Sequence, residues 1–559
     1  YSKSTVTQEF QPSPLRRDFM QSDLAFAQQG VDPVLLVRPT NPAYQIAKDY
    51  LLAQEALHPG QGFATLANSG LPFAVTSRVF DFGNRANEDT SKQTRLAAGL
   101  RGTVGKTDYE IAAATNQNKV EGKTVTGYFS QFDFAKAVSS PTSDYNPWSL
   151  TQSAAFNSAL AAAGAKYTGS TLDASSKSTA VDGRLTGDLT QLPAGALQYA
   201  VGVQARQESF VTNPSPALTT GDIAGLGGAQ PPVDRDRKIG STYGELVIPI
   251  FKGLEGTAAA RYDRYNDVGN STTYKGSLRY QPMSEVVVRG SVGTGFRAPT
   301  LVDLWLPRTL GSSEQFNDNG PGGTGQTDLQ VNSLTGGTPT LKPEKSKQAS
   351  IGLVLQPLRD LSVSIDYFQF KVDNIISLPS AQETVSRFRA GDPAFAGTVN
   401  LVPGSNDIDS IVQVLQNNGS AKVKGVDLDL NYRLPLSGSR LDLSLAGTYF
   451  MQFDQTSPGG AISHKVGTMV EGANGTPVLS TNAALVDGVV VRWKHYLSAT
   501  WSTSEWAVTL AQNYYSGYRD GNDLNNNEHR VPGQALYDAV VAYTGIKNLK
   551  VALGVRNLF

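Results

Sequence analysis

Residues 441–454 read Leu-Asp-Leu-Ser-Leu-Ala-Gly-Thr-Tyr-Phe-Met-Gln-Phe-Asp. Leu441, Leu443, Leu445, Gly447, Tyr449, Met451 and Phe453 share one phase, and Asp442, Ser444, Ala446, Thr448, Gln452 and Asp454 the other, with Phe450 the one exception. A period of two is that of a pleated strand with one greasy and one polar face. The same rule sets Leu197, Tyr199, Val201, Val203 and Ala205 against Gln198, Gly202, Gln204 and Arg206. It also sets Val426, Leu428, Leu430 and Tyr432 against Asp427, Asp429, Asn431 and Arg433.

The charge on one phase assigns the faces. A lysine or arginine pointing into lipid near the bilayer midplane costs about 2–4 kcal/mol, so in a membrane barrel the charged phase faces the lumen and the apolar phase faces out. A soluble sandwich also alternates, so the connections decide. The short ones fall at 192–195, 251–253, 282–284, 357–360, 435–439, 502–505 and 545–549. Between them lie connections at roughly 210–238, 266–270, 298–343, 374–420, 455–487 and 517–534, all long except the second. Tight turns on one rim and long loops on the other are the habit of an outer-membrane barrel.

Four further strands are predicted near 76–83, 92–101, 106–119 and 122–134, with the phase lost between 118 and 181. Residues 10–75 read as a large extracellular loop with a short helix over Tyr44–Leu57. Ala154–Ala165 is rich in helix formers and reads as a loop helix. The expectation is therefore an all-β transmembrane antiparallel β-barrel of about 18–19 visible strands, against about 22 in a plugged barrel of transporter size. Tyr1–Glu9 supplies the tail of one of these strands.

Composition agrees. The 559 residues carry 48 basic and 49 acidic side chains, net −1, which gives no broad basic field for nucleic acid. There is no cysteine, so neither disulfides nor thiolate metal sites contribute. Mean hydropathy is −0.26, and no run reaches the roughly 18 apolar residues that a membrane helix needs. In a barrel wall only every second residue meets lipid, which dilutes the average.

Phe296-Arg297-Ala298-Pro299-Thr300 followed by Leu304, and Leu341-Lys342-Pro343-Glu344-Lys345-Ser346 followed by Gly352, stand in the order of paired signatures in TonB-dependent receptors. Asp366-Tyr367-Phe368, 372–376, Gly425-Val426-Asp427 and Gly554-Val555-Arg556-Asn557-Leu558-Phe559 extend the match, so the chain resembles that family strongly over 280–559 and more loosely before it. The resemblance implies an outer-membrane transporter that imports a scarce nutrient such as siderophore-bound iron or a carbohydrate. It implies partners too: the TonB-ExbB-ExbD complex reached through an N-terminal plug, outer-membrane lipid, the barrel assembly machinery, and a small-molecule or oligomer ligand. The chain is read as one barrel over 1–559, with the plug and a last strand expected outside it. A passive porin and a surface adhesin or phage receptor are the alternatives.

Locally, Pro299 and Pro343 cannot donate to a ladder and so mark strand ends at the rim. Phe296, Trp305, Trp493, Trp501, Trp506, Tyr514 and Tyr515 suit the interfacial aromatic girdle. Gly320, Gly322 and Gly325 fit a dinucleotide spacing without its strand and helix, and read as a glycine-rich loop. His58, His464, His495 and His529 are scattered without zinc spacing. Asp520, Asn522 and Asp523 offer hard oxygens for calcium in a loop whose composition also suits turns alone. No nucleophile and base are paired in the sequence, so neither an enzyme nor a cofactor is expected.

Overall fold

The computed structural model describes residues 1–15, 36–75, 77–456, 462–468, 489–522 and 528–559. One eighteen-stranded sheet dominates it. Its long strands are β1 (Ser2–Phe10), β2 (Arg85–Val104), β3 (Thr107–Phe129), β4 (Lys166–Leu192), β5 (Gly195–Pro214) and β6 (Val233–Phe251). There follow β7 (Leu254–Tyr265), β8 (Gly269–Met283), β9 (Val286–Arg297), β10 (Glu344–Leu358), β11 (Leu361–Ser377) and β12 (Gln416–Leu436). The run closes with β13 (Ser439–Thr456), β14 (Trp493–Ser502), β15 (Trp506–Tyr515), β16 (Gln534–Ile546) and β17 (Leu549–Val555). The remaining strand, Ile462–His464, pairs with the end of β13 on the edge that β14 occupies further along. Each long strand is antiparallel to the next in the chain, the meander by which outer-membrane barrels are built.

The predicted tight turns are all present, and Val104–Thr107 adds another. Gly105, Gly253, Gly438 and Asn548 take positive φ there, which is why these turns carry Gly or Asn. The opposite rim holds the long connections. Exposure follows the two phases: Leu96, Leu100, Val292 and Ile351 are 60–74% exposed on the outer face, whereas Arg237 and Asp263 are 2–3% exposed on the inner one.

Three expectations are corrected. Of the stretch expected at 76–83, the described residues 77–83 are not a wall strand; Ser77–Arg78 pairs with Pro14–Leu15, and Val79 is buried among loop residues. Segments 106–119 and 122–134 form one strand, β3, whose outer half lacks greasy alternation because it carries cross-strand ion pairs, Lys92–Glu121 (2.7 Å) and Lys123–Glu88 (2.8 Å). Gln131–Ser139 beyond it is helical. Finally, Lys424 pairs with Gln452 and Gly425 with Phe450, so Met451 is a bulge that moves Phe453 off the outward phase. The helices at Tyr44–Leu57 and Ala154–Ala162 stand as expected.

Among the described residues, the long connections on the N-terminal side of β12 build two modules. In the first, Val75, Val79 and Phe82 join segment 130–165 and Ala224 to bury an aromatic core of Phe129, Phe132, Phe134, Tyr145 and Phe156. In the second, segments 298–343 and 378–415 share a four-stranded sheet of Thr309–Ser312, Asn332–Gly336, Ile408–Val414 and Val399–Leu401. The helix Ala381–Arg389 packs on it.

Candidate functional site

The family-motif residues meet at the long-loop rim. Pro299 follows the end of β9, and Thr300 caps the helix Leu301–Trp305 in a reciprocal capping box with Asp303. The Arg297 guanidinium donates to both oxygens of Glu344 (2.6 and 2.9 Å) and to Asp303 Oδ2 (3.2 Å). Glu344 also accepts from the Ile376 N–H at 2.8 Å. Asn417 Oδ1 accepts from the Lys342 N–H (2.6 Å), while its Nδ2 donates to the carbonyls of Lys342 (2.7 Å) and Asn374 (3.0 Å). These bonds form a clasp across β9, β10, β11 and β12, with Leu341 and Leu304 buried beside it. A bidentate Arg–carboxylate pair fixes direction as well as distance, so the clasp sets where both loops of the second module leave the wall.

Arg237 extends the clasp to β6. It is 2% exposed, donates to Asp267 Oδ2 and to the Pro299 carbonyl (both 2.8 Å), and lies 5.5 Å over the Tyr265 ring. Its Nη2 is buried with no partner among the described residues. Phe296 meets Tyr265 edge-on at 6.1 Å. The sequence does not single out Arg237; its value lies in contacts about 30 and 60 residues away.

Deeper in the lumen, Arg289, Gly352, Asp366, Asp427 and Thr448 form one inward row across five strands. Arg289 reaches over β10 to Asp366 in a bidentate pair (2.7 and 2.8 Å). A Cβ on Gly352 would collide with the Asp366 carboxylate, which gives this motif glycine its physical reason. Asp427 accepts from Thr448 at 2.8 Å. Above this row the inward phase turns aromatic, with the Phe368 ring 5.6 Å from Phe370 and 6.3 Å from Phe450 between centroids. Towards β6 and β7, Asp263 accepts from Ser241 (2.6 Å) and Arg261 (2.9 Å). The lining thus offers paired guanidinium and carboxylate groups and aromatic faces, suited to a polar, partly aromatic ligand.

Other expected positions lie apart from the clasp. Asn557 donates its N–H to Asp538 Oδ1 (3.0 Å), Leu558 donates to the Tyr537 carbonyl (2.8 Å), and Phe559 lies 6.3 Å from the Tyr537 ring, all on β16. Trp501 and Trp506 are exposed outward at the tight-turn end, and Trp493, His495 and Tyr514 cluster outward at the other. Tyr515 falls on the inward phase with Lys494 and Thr448, and Trp305 lies under Arg235 at 4.5 Å in a loop helix, so neither joins the girdle. Gly320, Gly322 and Gly325 belong to a loop that wraps Asp318, with the Gly325 N–H donating to its carbonyl at 2.9 Å. For the calcium candidates, Asp520 faces His529 at 3.3 Å, only the backbone of Asn522 is described, and Asp523 lies outside the described residues. Among the described residues no group of three or more His, Asp or Glu could hold a metal ion.

Solved structures share this architecture. A variant of the ferric enterobactin receptor of Pseudomonas aeruginosa superposes with a TM-score of 0.55 at 15% identity, over 88% of this chain and 58% of that one. A siderophore receptor of Acinetobacter baumannii gives 0.54 at 12%, over 85% and 63%, and an outer membrane transporter of Escherichia coli 0.53 at 9%, over 85% and 60%. The chain therefore spans about three fifths of the length of these structures. None of the curated proteins matches it at a significant level. The sequence profile described as TonB dependent receptor-like, beta-barrel matches residues 58–558. With the meander, the two rims and the clasp in place, this chain belongs to the TonB-dependent receptor β-barrel family of the bacterial outer membrane.

Proposed function

We propose that the protein of which this chain forms the barrel wall imports a scarce nutrient, with ferric siderophores first among the candidates, using energy delivered through TonB. The observation that carries this reading is the clasp of Arg297, Glu344, Asp303 and Asn417, which holds a folded loop module at a fixed angle over a polar and aromatic lumen. An energised importer must hold its ligand at the mouth until the path opens, and a rigid mouth pre-organises that contact. The siderophore receptors among the similar structures support the substrate class. In this reading TonB, with ExbB and ExbD, acts through a plug domain rather than on the wall.

The test is uptake of a panel of radiolabelled ferric siderophores by cells with and without the gene, each with TonB intact or deleted. Uptake that needs both the gene and TonB is expected. Uptake that survives TonB deletion would make the barrel a passive porin, and no gene-dependent uptake or growth on any nutrient would leave a surface adhesin or phage receptor.

A further inference from the structure

On the outer face of β10, β11 and β12 the apolar belt gives way to lysine. Ile351, Tyr367 and Val426 share one outward row; Ala349, Gln369 and Lys424 form the next, and Lys347, Lys371 and Lys422 then stand side by side. Lys345 follows Lys347 on the same face. Of these five lysines only Lys371 has a carboxylate partner among the described residues, Asp373 at 2.9 Å. Asp454, opposite Lys422, is already engaged by His464 Nδ1 at 2.7 Å. On β1–β3 the lysines Lys3, Lys92 and Lys119 also stand side by side, but two glutamates share that face, Glu121 pairing with Lys92 at 2.7 Å and Glu88 with Lys123 at 2.8 Å. Like charges directly opposite on neighbouring strands repel, so the Lys347–Lys371–Lys422 row calls for anionic groups from outside the protein.

An apolar groove of about 680 Å³ crosses the same outer face from β6 to β11. Gly256, Gly276, Gly290 and Ala349 form its floor, and Leu278 and Ile351 stand beside it. Ala349 is two residues from Lys347, about 7 Å along the strand. The groove opens to the hydrocarbon of the bilayer, and the lysines lie at its long-loop end, where headgroups of the outer leaflet begin. We propose that this face holds one phosphorylated, multi-acyl lipid, with its phosphates on Lys347, Lys371, Lys422 and Lys424 and one acyl chain in the groove. Ammonium–phosphate contacts select the headgroup, and the missing side chains of the floor select a chain lying flat against the wall.

Native mass spectrometry of the full chain in detergent tests this, titrating bis-phosphorylated lipid A, its dephosphorylated form, phosphatidylethanolamine and inorganic pyrophosphate. One retained lipid A is expected, with at least tenfold weaker binding of the dephosphorylated form and of phosphatidylethanolamine, and no pyrophosphate bound at the same concentration. The variant Lys347→Gln/Lys422→Gln/Lys424→Gln should weaken lipid A at least tenfold. Gly276→Leu fills the groove with no protein atom within 4 Å of the new Cβ, and should weaken it similarly. Heat-modifiable migration on gels checks folding; should the lysine variant fail to fold, Gly276→Leu and the dephosphorylated lipid decide. Equal binding of the phosphate-free lipids, unchanged binding by either folded variant, or pyrophosphate binding as tight as lipid A would each overturn the proposal.

Discussion

The two loop modules share a rim and are built by opposite means. In the first, Phe134 is fully buried between Phe129, Tyr145 and Phe156, with centroids 5.2–6.2 Å apart. In the second, Arg389 and Asp318 are 6% and 1% exposed and form a bidentate pair at 2.7 and 3.0 Å. Asp318 accepts two further bonds from Thr324 (3.0 and 3.1 Å), and Arg389 donates two to the Asn406 oxygens (both 2.7 Å). Apolar packing tolerates loss of direction but not of volume. A buried ion pair tolerates neither loss of a partner nor misplacement, and could be replaced whole by apolar groups. The aromatic module is thus the more deformable, and the ion-paired one holds its loops in a single arrangement.

The largest expected effect breaks the aromatic side. Phe134→Ala removes a fully buried ring and should cost the first module about 4 kcal/mol. Hydrogen exchange would show it as lost protection across 131–165, with the second module unchanged. If protection falls equally in both, they are one cooperative unit and the contrast fails. Next, Asp318→Asn leaves Arg389 buried against a neutral partner and should cost the second module about 3 kcal/mol. The double variant Asp318→Leu/Arg389→Met should recover most of that loss. A double variant as damaged as the single one would mean that the hydrogen bonds to Thr324 and Asn406, rather than the charges, hold the module.

How much of this was legible differs between wall and loops for a physical reason. The wall obeys a local rule, side chains alternating across a lipid boundary, so β5, β12 and β13 can be read from their own residues. The rule lapses where β2 and β3 rise above lipid and both faces turn polar, which is why β3 read as two strands. The second module depends on pairs 71 and 80 residues apart, Arg389–Asp318 and Ser333–Gln413, that no periodicity announces. Of the clasp residues, Arg297, Lys342 and Glu344 stood out as motif positions while Asp303 and Asn417 did not, and the pairing of Arg297 with Glu344 and the need for Gly352 beneath Arg289 came only with the fold.

Acid should separate the modules by sign. In the second, burial pushes the Asp318 carboxyl up, but Arg389 and Thr324 outweigh it and hold it below the usual carboxylate range. Its stabilisation is therefore complete above that range and is lost as pH falls through the lowered value. In the first, burial raises Asp222, and the donors Phe132 N and Ser130 Oγ only partly offset it; burial raises Asp81 as well. Those carboxyls bind protons more tightly in the folded module, so they favour it most below the usual range and oppose it as pH rises through the raised values. Between pH 7 and 3, proteolysis should quicken in 378–415 and slow or hold in 131–165. Parallel curves would refute the contrast.

The smallest effect sharpens the same comparison at helix ends. Ser380 caps Ala381–Arg389 by accepting from the Glu383 N–H at 3.1 Å, and Ser380→Ala should cost about 1 kcal/mol, the ordinary value of a cap. Ser130 caps Gln131–Ser139 in the same way, accepting from the Asp133 N–H at 3.1 Å, but its hydroxyl also donates to Asp222 at 2.7 Å. Ser130→Ala therefore removes a cap and strips a half-buried carboxylate of a donor, which should raise the Asp222 pKa further and make the loss grow with pH. The Ser380→Ala loss should not grow in this way. Hydrogen exchange at pH 5 and pH 8 distinguishes the two. A flat response in Ser130→Ala would mean that the Phe132 N–H alone suffices for Asp222, and that the aromatic module carries this carboxylate more cheaply than its geometry implies.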